Sequence, residues 1–344
     1  IYTSSLKAHY ARRMNLQIIL SQHDFRCAAC QRNGSCSLQR ICAEMNINDV
    51  PFKQDFEKHE WDMSFPLIRD SGKCIKCMRC VQICDKVQSL NIWDIVNTGK
   101  RTSVGVSNMK KIAESDCSVC GQCITHCPTG ALRERDDVRK VLDAVHDPDK
   151  IVVVQIAPAV RAAWGEGLGL AEELATEKRM AAAARALGVD YVFDTNFSAD
   201  LTIMEEANEL IERMTKHDDY TWPMFTSCCP GWVRFIKSQY PDMVKQLSTA
   251  KSPQQMFGAV AKTYFAREVL DVDPNKIFCV SIMPCTAKKA ECAMPNMNDA
   301  RTGHDVDVAL TTREFDRLLR SELISPATLP EEEFDSPLGI ASGA

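Results

Sequence analysis

Two runs of closely spaced cysteines constrain this chain more than any other feature of its sequence. The first reads CIKCMRCVQIC and the second CSVCGQCITHCP, and both follow the spacing C-x2-C-x2-C-x3-C. Three cysteines at this spacing wrap a loop around one corner of a cubane iron–sulfur cluster, while the fourth crosses to a neighbouring cluster. Zinc sites are the alternative, but they usually close with two C-x2-C pairs or with histidines. The spacing therefore predicts two 4Fe–4S clusters, held by Cys74, Cys77, Cys80 and Cys127 and by Cys84, Cys117, Cys120 and Cys123.

A third group of metal-binding residues precedes these runs. The stretch HDFRCAACQRNGSC contains one histidine and three cysteines, namely His23, Cys27, Cys30 and Cys36. One imidazole and three thiolates form a common zinc set, so the spacing alone leaves zinc and iron equally open. A position upstream of two cubane clusters favours a third iron–sulfur cluster, and the three together would relay single electrons. Cys42, in the helix pattern LQRICAEM, is predicted to be a core residue.

The overall composition excludes several classes of partner. The chain has 344 residues, of which 45% are hydrophobic, and a net charge of −5, so we expect two or three domains and no nucleic-acid partner. No apolar run reaches the length of a membrane helix. The 17 cysteines are odd in number and clustered at short spacings, which favours thiolate ligation in a reducing compartment over disulfides. The predicted location is therefore cytoplasmic.

The pattern of the chain changes near residue 146. Residues 1–22 read as an amphipathic helix that opens mid-pattern, and the sequence closes on GIASGA without a final element, so we expect a fragment cut at both ends. Beyond residue 146, strand and helix patterns alternate, which predicts an α/β domain with a largely parallel sheet. The predicted organisation is a segment with one histidine and three cysteine ligands at 1–62, an α+β ferredoxin-like two-cluster domain at 63–146, and the α/β domain at 147–344.

Four strand patterns and five helix patterns fill this third region. The predicted strands are KIVVVQIAP, VDYVFDT, KIFCVSIMP and VDVALTT. The predicted helices are AEELATEKRMAAAARALG, ADLTIMEEANELIERMTK, one opening near Pro230, SPQQMFGAVAKTYFAREVL with Ser252 as N-cap, and REFDRLLRSE. Ligands of such sheets gather in the loops at the carboxyl ends of the strands. The stretches FTSCCPGWV and MPCTAKKAE lie in two of these loops.

Adjacent cysteines are the unusual feature of FTSCCPGWV. Cys228 and Cys229 cannot easily bridge each other or hold one metal together. Neighbouring side chains of an extended backbone point to opposite sides, so the two thiols can serve different groups. The alternative is that one of the two is simply a small buried hydrophobe.

These motifs, in this order, resemble those of the iron-only (FeFe) hydrogenases, and the likeness is closest to modular, cytosolic bacterial members. In that family the H-cluster joins a 4Fe–4S cubane, through a cysteine sulfur, to a two-iron unit with carbon monoxide, cyanide and a bridging dithiolate. The resemblance implies an α/β H-cluster domain and the reversible conversion of two protons and two electrons into dihydrogen. It also implies maturation proteins that supply the two-iron unit.

The resemblance gives roles to residues of both loops. It implies that Cys229 and Cys285 bind the cubane. The Cys228 thiol would pass protons beside the dithiolate amine, and Lys288 would donate a hydrogen bond to a cyanide, which only accepts. Lys289 is predicted to be solvated. Five further positions match the lining of the two-iron pocket, namely Ala157, Pro158, Pro230, Gln254 and Met283.

A proton route is predicted on the helix EEANELIERM. Glu206, Glu209 and Arg213 are spaced i, i+3 and i+7 and so share one helix face. From the residues alone, a solvated charged face is the better interpretation. The matching positions of the family form a relay from the surface to the site, with Ser248 joining the two glutamates. The resemblance therefore implies a proton path here.

The match to the family is incomplete. Four cysteines hold the H-cluster cubane in this family, and the two expected from a glycine-rich C-terminal loop have no counterpart here. Cys279, in a strand pattern, and Cys292, in the loop after Glu291, are predicted to be structural or incidental. We therefore expect the parent protein to be a hydrogenase and the isolated chain to be inactive.

Two other functions share parts of this pattern. Hydrogenase-like proteins that assist cytosolic iron–sulfur assembly lack, as a rule, the extra thiol and the two-iron unit, and a sensory hydrogenase would feed a signalling domain. The retention of Cys228, Cys229 and Lys288 favours catalysis. The chain has no G-x-G-x-x-G after a strand, so no nicotinamide is expected to bind it directly. The expected electron partners are ferredoxin or partner subunits that use NAD(P)H.

Overall fold

The computed structural model describes residues 2–56 and 58–336. The chain divides into two units, a relay unit of Ile1–Cys117 and Gly121–Arg135 and a sheet unit of Ser118–Cys120 and Asp136–Ala344. The prediction made for the closing stretch GIASGA lies outside the described residues. The relay unit contains the first cysteine run, and the sheet unit contains FTSCCPGWV and MPCTAKKAE.

Short elements make up the relay unit. Its α-helices are α1 Leu6–Ser21, α2 Ser37–Glu44, α3 Arg79–Gln82 and α4 Gln122–His126, and its strands are β1 Leu67–Arg69, β2 Trp93–Val96, β3 Ser103–Val106 and β4 Leu132–Glu134. Strand β1 pairs antiparallel with β4, and β2 pairs antiparallel with β3. These small sheets beside the cysteine runs confirm the predicted α+β ferredoxin-like class.

Helix α1 begins later than predicted. Ser5 is its N-cap, with Oγ accepting the N–H of Ala8 at 3.2 Å, so the helix starts at Leu6. Its apolar residues recur at every fourth position, which agrees with the predicted amphipathic pattern. This stripe is exposed within the described ranges, at Leu6, Tyr10, Met14 and Ile18.

The first halves of the two cysteine runs share a pattern of backbone angles. In each run the third and fifth residues have positive φ angles, at 57° for Lys76 and 60° for Met78 in the first run, and at 57° for Val119 and 77° for Gly121 in the second. Left-handed residues in a loop can turn backbone N–H groups to one side and form a concavity that suits an anion. The runs differ at the fourth cysteine, because Cys84 lies in a π-helix and Cys127 is extended. The internal repeat of the sequence is therefore a repeat of local structure in the first half of each run.

The sheet unit alternates strands and helices. Its strands are β5 Ile151–Ile156, β6 Tyr191–Asp194, β7 Ile277–Met283 and β8 Val308–Thr311. Its α-helices are α5 Val138–Val145, α6 Glu177–Ala186, α7 Asn196–Thr215, α8 Pro230–Gln239, α9 Pro253–Val260, α10 Ala287–Cys292 and α11 Thr312–Ser321, with α9 continued by a π-helix at Ala261–Val269. Within residues 2–56 and 58–336, every helix is too short or too polar to cross a membrane.

The sheet is parallel throughout, with the strand order β6-β5-β7-β8. The side chains of β5 alternate between its two faces, because Val152 and Val154 pack in one buried cluster and Val153 packs in another with Cys279 of β7. A parallel sheet of this kind is covered on both faces. The predicted α/β class is confirmed, and Cys279 is a buried strand residue as predicted.

The carboxyl ends of the four strands meet at one edge of the sheet. Ile156 of β5 lies opposite Asp194 of β6 and Ile282 of β7, and Met283 of β7 lies opposite Thr311 of β8. The loops that follow β5 and β7 therefore leave the sheet side by side. MPCTAKKAE belongs to the second of these loops, at the edge where ligands of such sheets collect.

Two helix starts refine the predictions. The Thr176 Oγ1 accepts the N–H of Arg179 at 3.2 Å and caps α6, which begins at Glu177, later than the predicted pattern. Gly188, with φ at 92°, follows the end of this helix as predicted. Ser252 lies at the N-cap position of α9 as predicted, but its side chain makes no capping hydrogen bond.

Candidate active site and cluster-binding loops

The first predicted cluster set lines one cavity of the relay unit. Cys74, Cys77, Cys80 and Cys127 line one small cavity together with Trp93 and other largely apolar side chains. Among the described residues, no three His, Cys, Asp or Glu side chains converge tightly enough to bind a single metal ion. Four thiols that line one cavity without converging on a single point suit a cubane cluster better than one zinc ion.

Two thiols of this cavity, those of Cys74 and Cys80, have raised pKa values. Burial raises the pKa of Cys74, and it raises the pKa of Cys80 to about 12, with the neighbouring thiolates adding to the effect. Metal binding must therefore release protons from these side chains. In the second predicted set, Cys84, Cys117 and Cys123 are buried and Cys120 is half-buried.

The N-terminal group of one histidine and three cysteines also has the features of a metal site. His23 is buried, and its Nδ1 atom has no hydrogen-bond partner among residues 2–56 and 58–336. Burial lowers the pKa of His23, which favours the neutral imidazole that binds metals. A Cβ atom at Gly130 would lie 2.6 Å from Cys30 Sγ, so glycine leaves the room that this thiol occupies. Cys42 is half-buried, so its prediction as a core residue is wrong.

The adjacent cysteines lie at the start of α8. Cys229 is the N-cap of this helix, in extended conformation with φ at −97° and ψ at 108°, and its Sγ accepts the N–H of Trp232 at 3.5 Å. Pro230 occupies the first helical position, where its missing N–H is not needed. Both cysteines are exposed. An exposed position at the N-terminus of a helix suits Cys229 as a metal ligand.

Lys288 connects two loops, that of Cys285 and that of Cys228 and Cys229 (together called the cysteine loops). Its Nζ donates to the backbone carbonyl of Cys228 at 2.9 Å and forms an ion pair with Glu291 Oε2 at 3.0 Å. Burial raises the pKa of Cys285, the Lys288 backbone N–H and ammonium lower it, and the charge of Cys229 raises it again. The Cys229 and Cys285 thiols are therefore close enough to interact electrostatically.

The Cys228 thiol lies in a field of opposing charges. The residue is exposed overall, but partial burial of its thiol raises the pKa of Cys228 above its ordinary value. The Lys288 ammonium lowers this pKa, and the Glu206 carboxylate raises it. The thiol is therefore mainly protonated near neutral pH and can act as a proton donor.

Two residues of the predicted proton route, Ser248 and Arg213, bond the carboxylate of Glu209, whereas Glu206 bonds a different group. Glu209 Oε2 accepts Ser248 Oγ at 2.9 Å, and its Oε1 accepts Arg213 Nε at 3.0 Å. Arg213 is buried, so the solvated-face interpretation is wrong for this residue. Glu206 Oε1 accepts the backbone N–H of Ser227, next to Cys228, at 3.4 Å.

The predicted pocket-lining residues differ in environment. Ala157 and Met283 are buried in the apolar cluster beneath the sheet edge, and Pro230 is buried at the start of α8. Gln254 is buried among polar partners, with Nε2 donating to Glu291 Oε2 at 3.0 Å. Pro158 is exposed.

The environment of Lys289 differs most from the one predicted from the sequence. It is buried, whereas a solvated side chain was predicted, and its Nζ lies 2.7 Å from Asp137 Oδ2 and 2.9 Å from Glu314 Oε1. It also donates to the carbonyl of Ala309 at 2.7 Å. Two buried carboxylates need a buried cation, which explains why the second lysine of the pair turns inward.

Two residues at the end of α10 also differ from the site predicted from the sequence. Cys292 is the last residue of this helix and is buried, whereas a loop position was predicted, and its Sγ accepts Gln254 Nε2 at 3.2 Å. Glu291 is buried and bonds Lys288, a contact that the sequence-based site did not include. The i, i+3 spacing of Lys288 and Glu291 is the local pattern that could have identified it.

A parallel sheet with the Cys285 loop after β7, bonded through Lys288 to the loop of Cys228 and Cys229, in a chain with a four-thiol cavity, defines an iron–sulfur redox protein. The loop of Cys228 and Cys229 itself follows α7 and not a strand, which corrects its predicted position at the end of a strand. The family model described as iron only hydrogenase large subunit, C-terminal domain, matches residues 150–344, which is more than half of the chain. A 4Fe-4S dicluster domain matches residues 73–131, and the NADH-ubiquinone oxidoreductase-G iron-sulfur binding region matches residues 12–51. The chain belongs to the iron-only hydrogenase family.

Individual relatives agree with this placement. The chain is 46% identical, over its whole length, to the NADP-reducing hydrogenase subunit HndD of Solidesulfovibrio fructosivorans and 37% identical to iron hydrogenase 1 of Clostridium pasteurianum. It spans 59% and 60% of those relatives. The structure of apo [FeFe]-hydrogenase HydA1 from Chlamydomonas reinhardtii, variant C377H, matches 60% of this chain and 52% of that one, with 43% identity and a TM-score of 0.55.

These matches also bear on the cofactors. The cofactors of the matched domains are 4Fe–4S clusters and the H-cluster, in agreement with the predicted set. The segment that contains His23, Cys27, Cys30 and Cys36 lies inside an iron–sulfur binding region, which favours iron over zinc at that group.

Proposed function

We propose that this chain is the relay and catalytic part of an enzyme that converts two protons and two electrons reversibly into dihydrogen. The observation that carries the proposal is the hydrogen bond from Lys288 Nζ to the carbonyl of Cys228, at 2.9 Å. It brings the ammonium of one cysteine loop to the backbone of the other. A thiolate ligand, a free thiol and a cation then belong to one site.

Each of these side chains has a distinct task. Cys229 and Cys285 would hold the cubane, and Lys288 would donate a charge-assisted hydrogen bond to an anionic ligand of the two-iron unit. When bound, the H-cluster supplies the metal centre at which protons and electrons combine. Buried Ala157 and Met283 limit the access of water beneath the site.

Protons would reach the site along α7. Glu209 and Ser248 form a carboxylate–hydroxyl pair at 2.9 Å, and Glu206 lies beside the residue that precedes Cys228. Arg213 holds Glu209 in place through its guanidinium. The Cys228 thiol is the final donor and acceptor, because general acid–base transfer requires a group that can carry the proton in both directions.

Electrons would pass between the site and a nicotinamide-linked partner subunit through three 4Fe–4S clusters. Support comes from the 46% identity to a subunit named as NADP-reducing hydrogenase. The chain lacks a G-x-G-x-x-G fingerprint, so the nicotinamide would bind the partner. The clustered thiols favour the cytoplasm as its location, and maturation proteins would supply the two-iron unit.

The test uses the full-length protein, produced anaerobically with and without the maturation proteins. We expect hydrogen evolution from reduced methyl viologen only in the matured form, with iron and sulfide contents that match three relay clusters and an H-cluster. Full iron loading without turnover would contradict the proposal and favour an assembly role. For the electron partner, we expect the protein to exchange electrons with NADP(H) only when partner subunits are added. Direct electron exchange with ferredoxin alone would contradict a nicotinamide-linked partner.

A further inference from the structure

A buried carboxylate holds the ammonium that the proposed function assigns to the two-iron unit. Glu291, on α10, is 4% exposed, and its Oε2 atom accepts three hydrogen bonds. The donors are Ser252 Oγ at 2.9 Å, Gln254 Nε2 at 3.0 Å and Lys288 Nζ at 3.0 Å. A carboxylate is acceptor-only when ionised, so these three donors match its charged form.

One donor of this carboxylate, Gln254, is itself fixed by the sheet. Gln254 Oε1 accepts Ser281 Oγ of β7 at 2.8 Å, and the Gln254 backbone carbonyl accepts Gln155 Nε2 of β5 at 2.9 Å. The Gln254 amide is therefore held in one orientation, with Nε2 directed at Glu291. Side chains locked by such partners keep a site within the narrow geometry that binding requires.

The hydrogen-bond count at Lys288 leaves one donor for a ligand. An ammonium has three N–H groups. One bonds the carbonyl of Cys228 and another bonds Glu291, and no third acceptor lies within hydrogen-bond distance in the part of the chain that the structure describes. The Lys288 side chain is 12% exposed, so little bulk solvent reaches the ammonium that carries the remaining N–H.

Glu291 also provides the counter-ion of the Lys288 ammonium. A nearly buried ammonium without a counter-ion is strongly unfavourable, and its side chain would move toward water. The ion pair keeps the Lys288 ammonium in the site. The remaining N–H is then directed at an acceptor that carries negative charge, as a metal-bound cyanide does.

We propose that Glu291 is a positioning residue for the two-iron unit. Together with Ser252 and Gln254 it forms a buried hydrogen-bonded group that orients the Lys288 ammonium. One N–H of the ammonium is then presented to an anionic ligand. Glu291 acts through Lys288 and does not touch the reacting atoms. The inference rests on the proposed function and names residues that decide how firmly the unit is bound and how its cyanide ligands are polarised.

The experiment loads the full-length protein, containing its 4Fe–4S clusters, with a synthetic two-iron complex that bears two cyanides. Uptake of this complex and the infrared bands of its cyanides are compared for wild type, Glu291→Gln and the exposed control Glu268→Gln. We expect Glu291→Gln to weaken uptake by about 10- to 100-fold, as loss of an outer partner of a metal site does, and to shift a cyanide band. The control should match wild type.

Two outcomes separate this inference from the proposed function. If wild type takes up the complex and Glu291→Gln gives the same uptake and the same cyanide bands, the role of Glu291 is refuted while the function stands. If wild type takes up nothing, the proposed function itself fails. Should Glu291→Gln lose its 4Fe–4S clusters, Ser252→Ala and Glu291→Asp replace it, and unchanged uptake with unchanged bands in both would overturn the inference.

Discussion

The strands of the relay unit have three or four residues and pair two by two, whereas the sheet unit has four parallel strands with apolar clusters on both faces. In the relay unit, four thiols surround a cavity close to the small sheets. In the sheet unit, Val153, Trp164 and Phe315 are fully buried by other side chains. The comparison indicates that the first unit depends on its metal clusters for stability and the second on its apolar core.

Removal of iron should produce the largest difference in stability between the two units. We expect anaerobic chelation to destabilise the relay unit by on the order of 10 kcal/mol, the scale of structural metal sites, because its thiols would face an empty cavity. Strands β5 and β7 should keep their protection from hydrogen exchange. Hydrogen–deuterium exchange with mass spectrometry, before and after chelation, measures both units at once. Equal loss of protection in both units would contradict the comparison.

Lys289→Ala should act on the sheet unit alone. The change leaves Asp137 and Glu314 as buried carboxylates without their shared cation, so we expect a loss of about 3 to 5 kcal/mol. Denaturant unfolding followed by circular dichroism measures the loss, while iron content should stay unchanged. The exposed Lys276→Ala is the control and should change stability by less than about 0.5 kcal/mol. A fall in the iron content of the relay clusters would contradict the claim that the change affects the sheet unit alone.

Asp316 gives the sheet unit a defined dependence on pH. Burial raises the pKa of this carboxyl from 3.8 to about 7, and Oδ1 has no hydrogen-bond partner within the described ranges. Because the folded state binds the proton more tightly, its stability falls as the pH rises from 3.8 to about 7. Asp316→Asn should therefore stabilise the protein by about 2 to 4 kcal/mol at pH 8 relative to its effect at pH 4.

Thermal unfolding at the two pH values, under anaerobic conditions, measures this difference. The exposed Asp143→Asn serves as the control and should show no such dependence on pH. A gain for Asp316→Asn that is the same at both pH values would contradict the assigned cause.

The smallest predicted effect compares the two cysteine runs. Met78 has a φ of 60° at the position that Gly121 occupies in the second run. A left-handed residue with a side chain costs about 1 to 2 kcal/mol, so Met78→Gly should stabilise the relay unit by about 1 kcal/mol. Gln82→Gly, at a helical φ of −63°, should destabilise it by a similar amount. Melting temperatures of the reconstituted proteins measure both signs, and the same sign for both would contradict the argument.

Local patterns in the sequence were sufficient for much of this architecture. The cysteine spacings predicted a cluster set that the structure places around one cavity, and alternating apolar patterns predicted the parallel sheet. Both are short-range features, because a cluster loop and a strand are each encoded within a few residues. The start of α6 was missed because Thr176 caps the helix inside a pattern that already looked helical.

Long-range contacts account for what the sequence could not predict. Lys288 and Lys289 are neighbours with no local difference, yet one faces the cysteine loops and the other bonds Asp137 and Glu314. Only the folded sheet unit brings those two carboxylates to α10. The acceptor role of Glu291 likewise depends on Ser252 and Gln254, which are far away in the chain.

The account depends most on the Cys228 thiol as the proton carrier next to a thiolate ligand. The most direct test is hydrogen evolution by the matured full-length protein carrying Cys228→Ala, compared with wild type and with Cys42→Ala. We predict a loss of about 100-fold or more for Cys228→Ala, with unchanged infrared bands of the two-iron unit, because removal of a proton donor slows transfer without disturbing the metals. Turnover equal to wild type in the fully loaded Cys228→Ala protein would contradict the account.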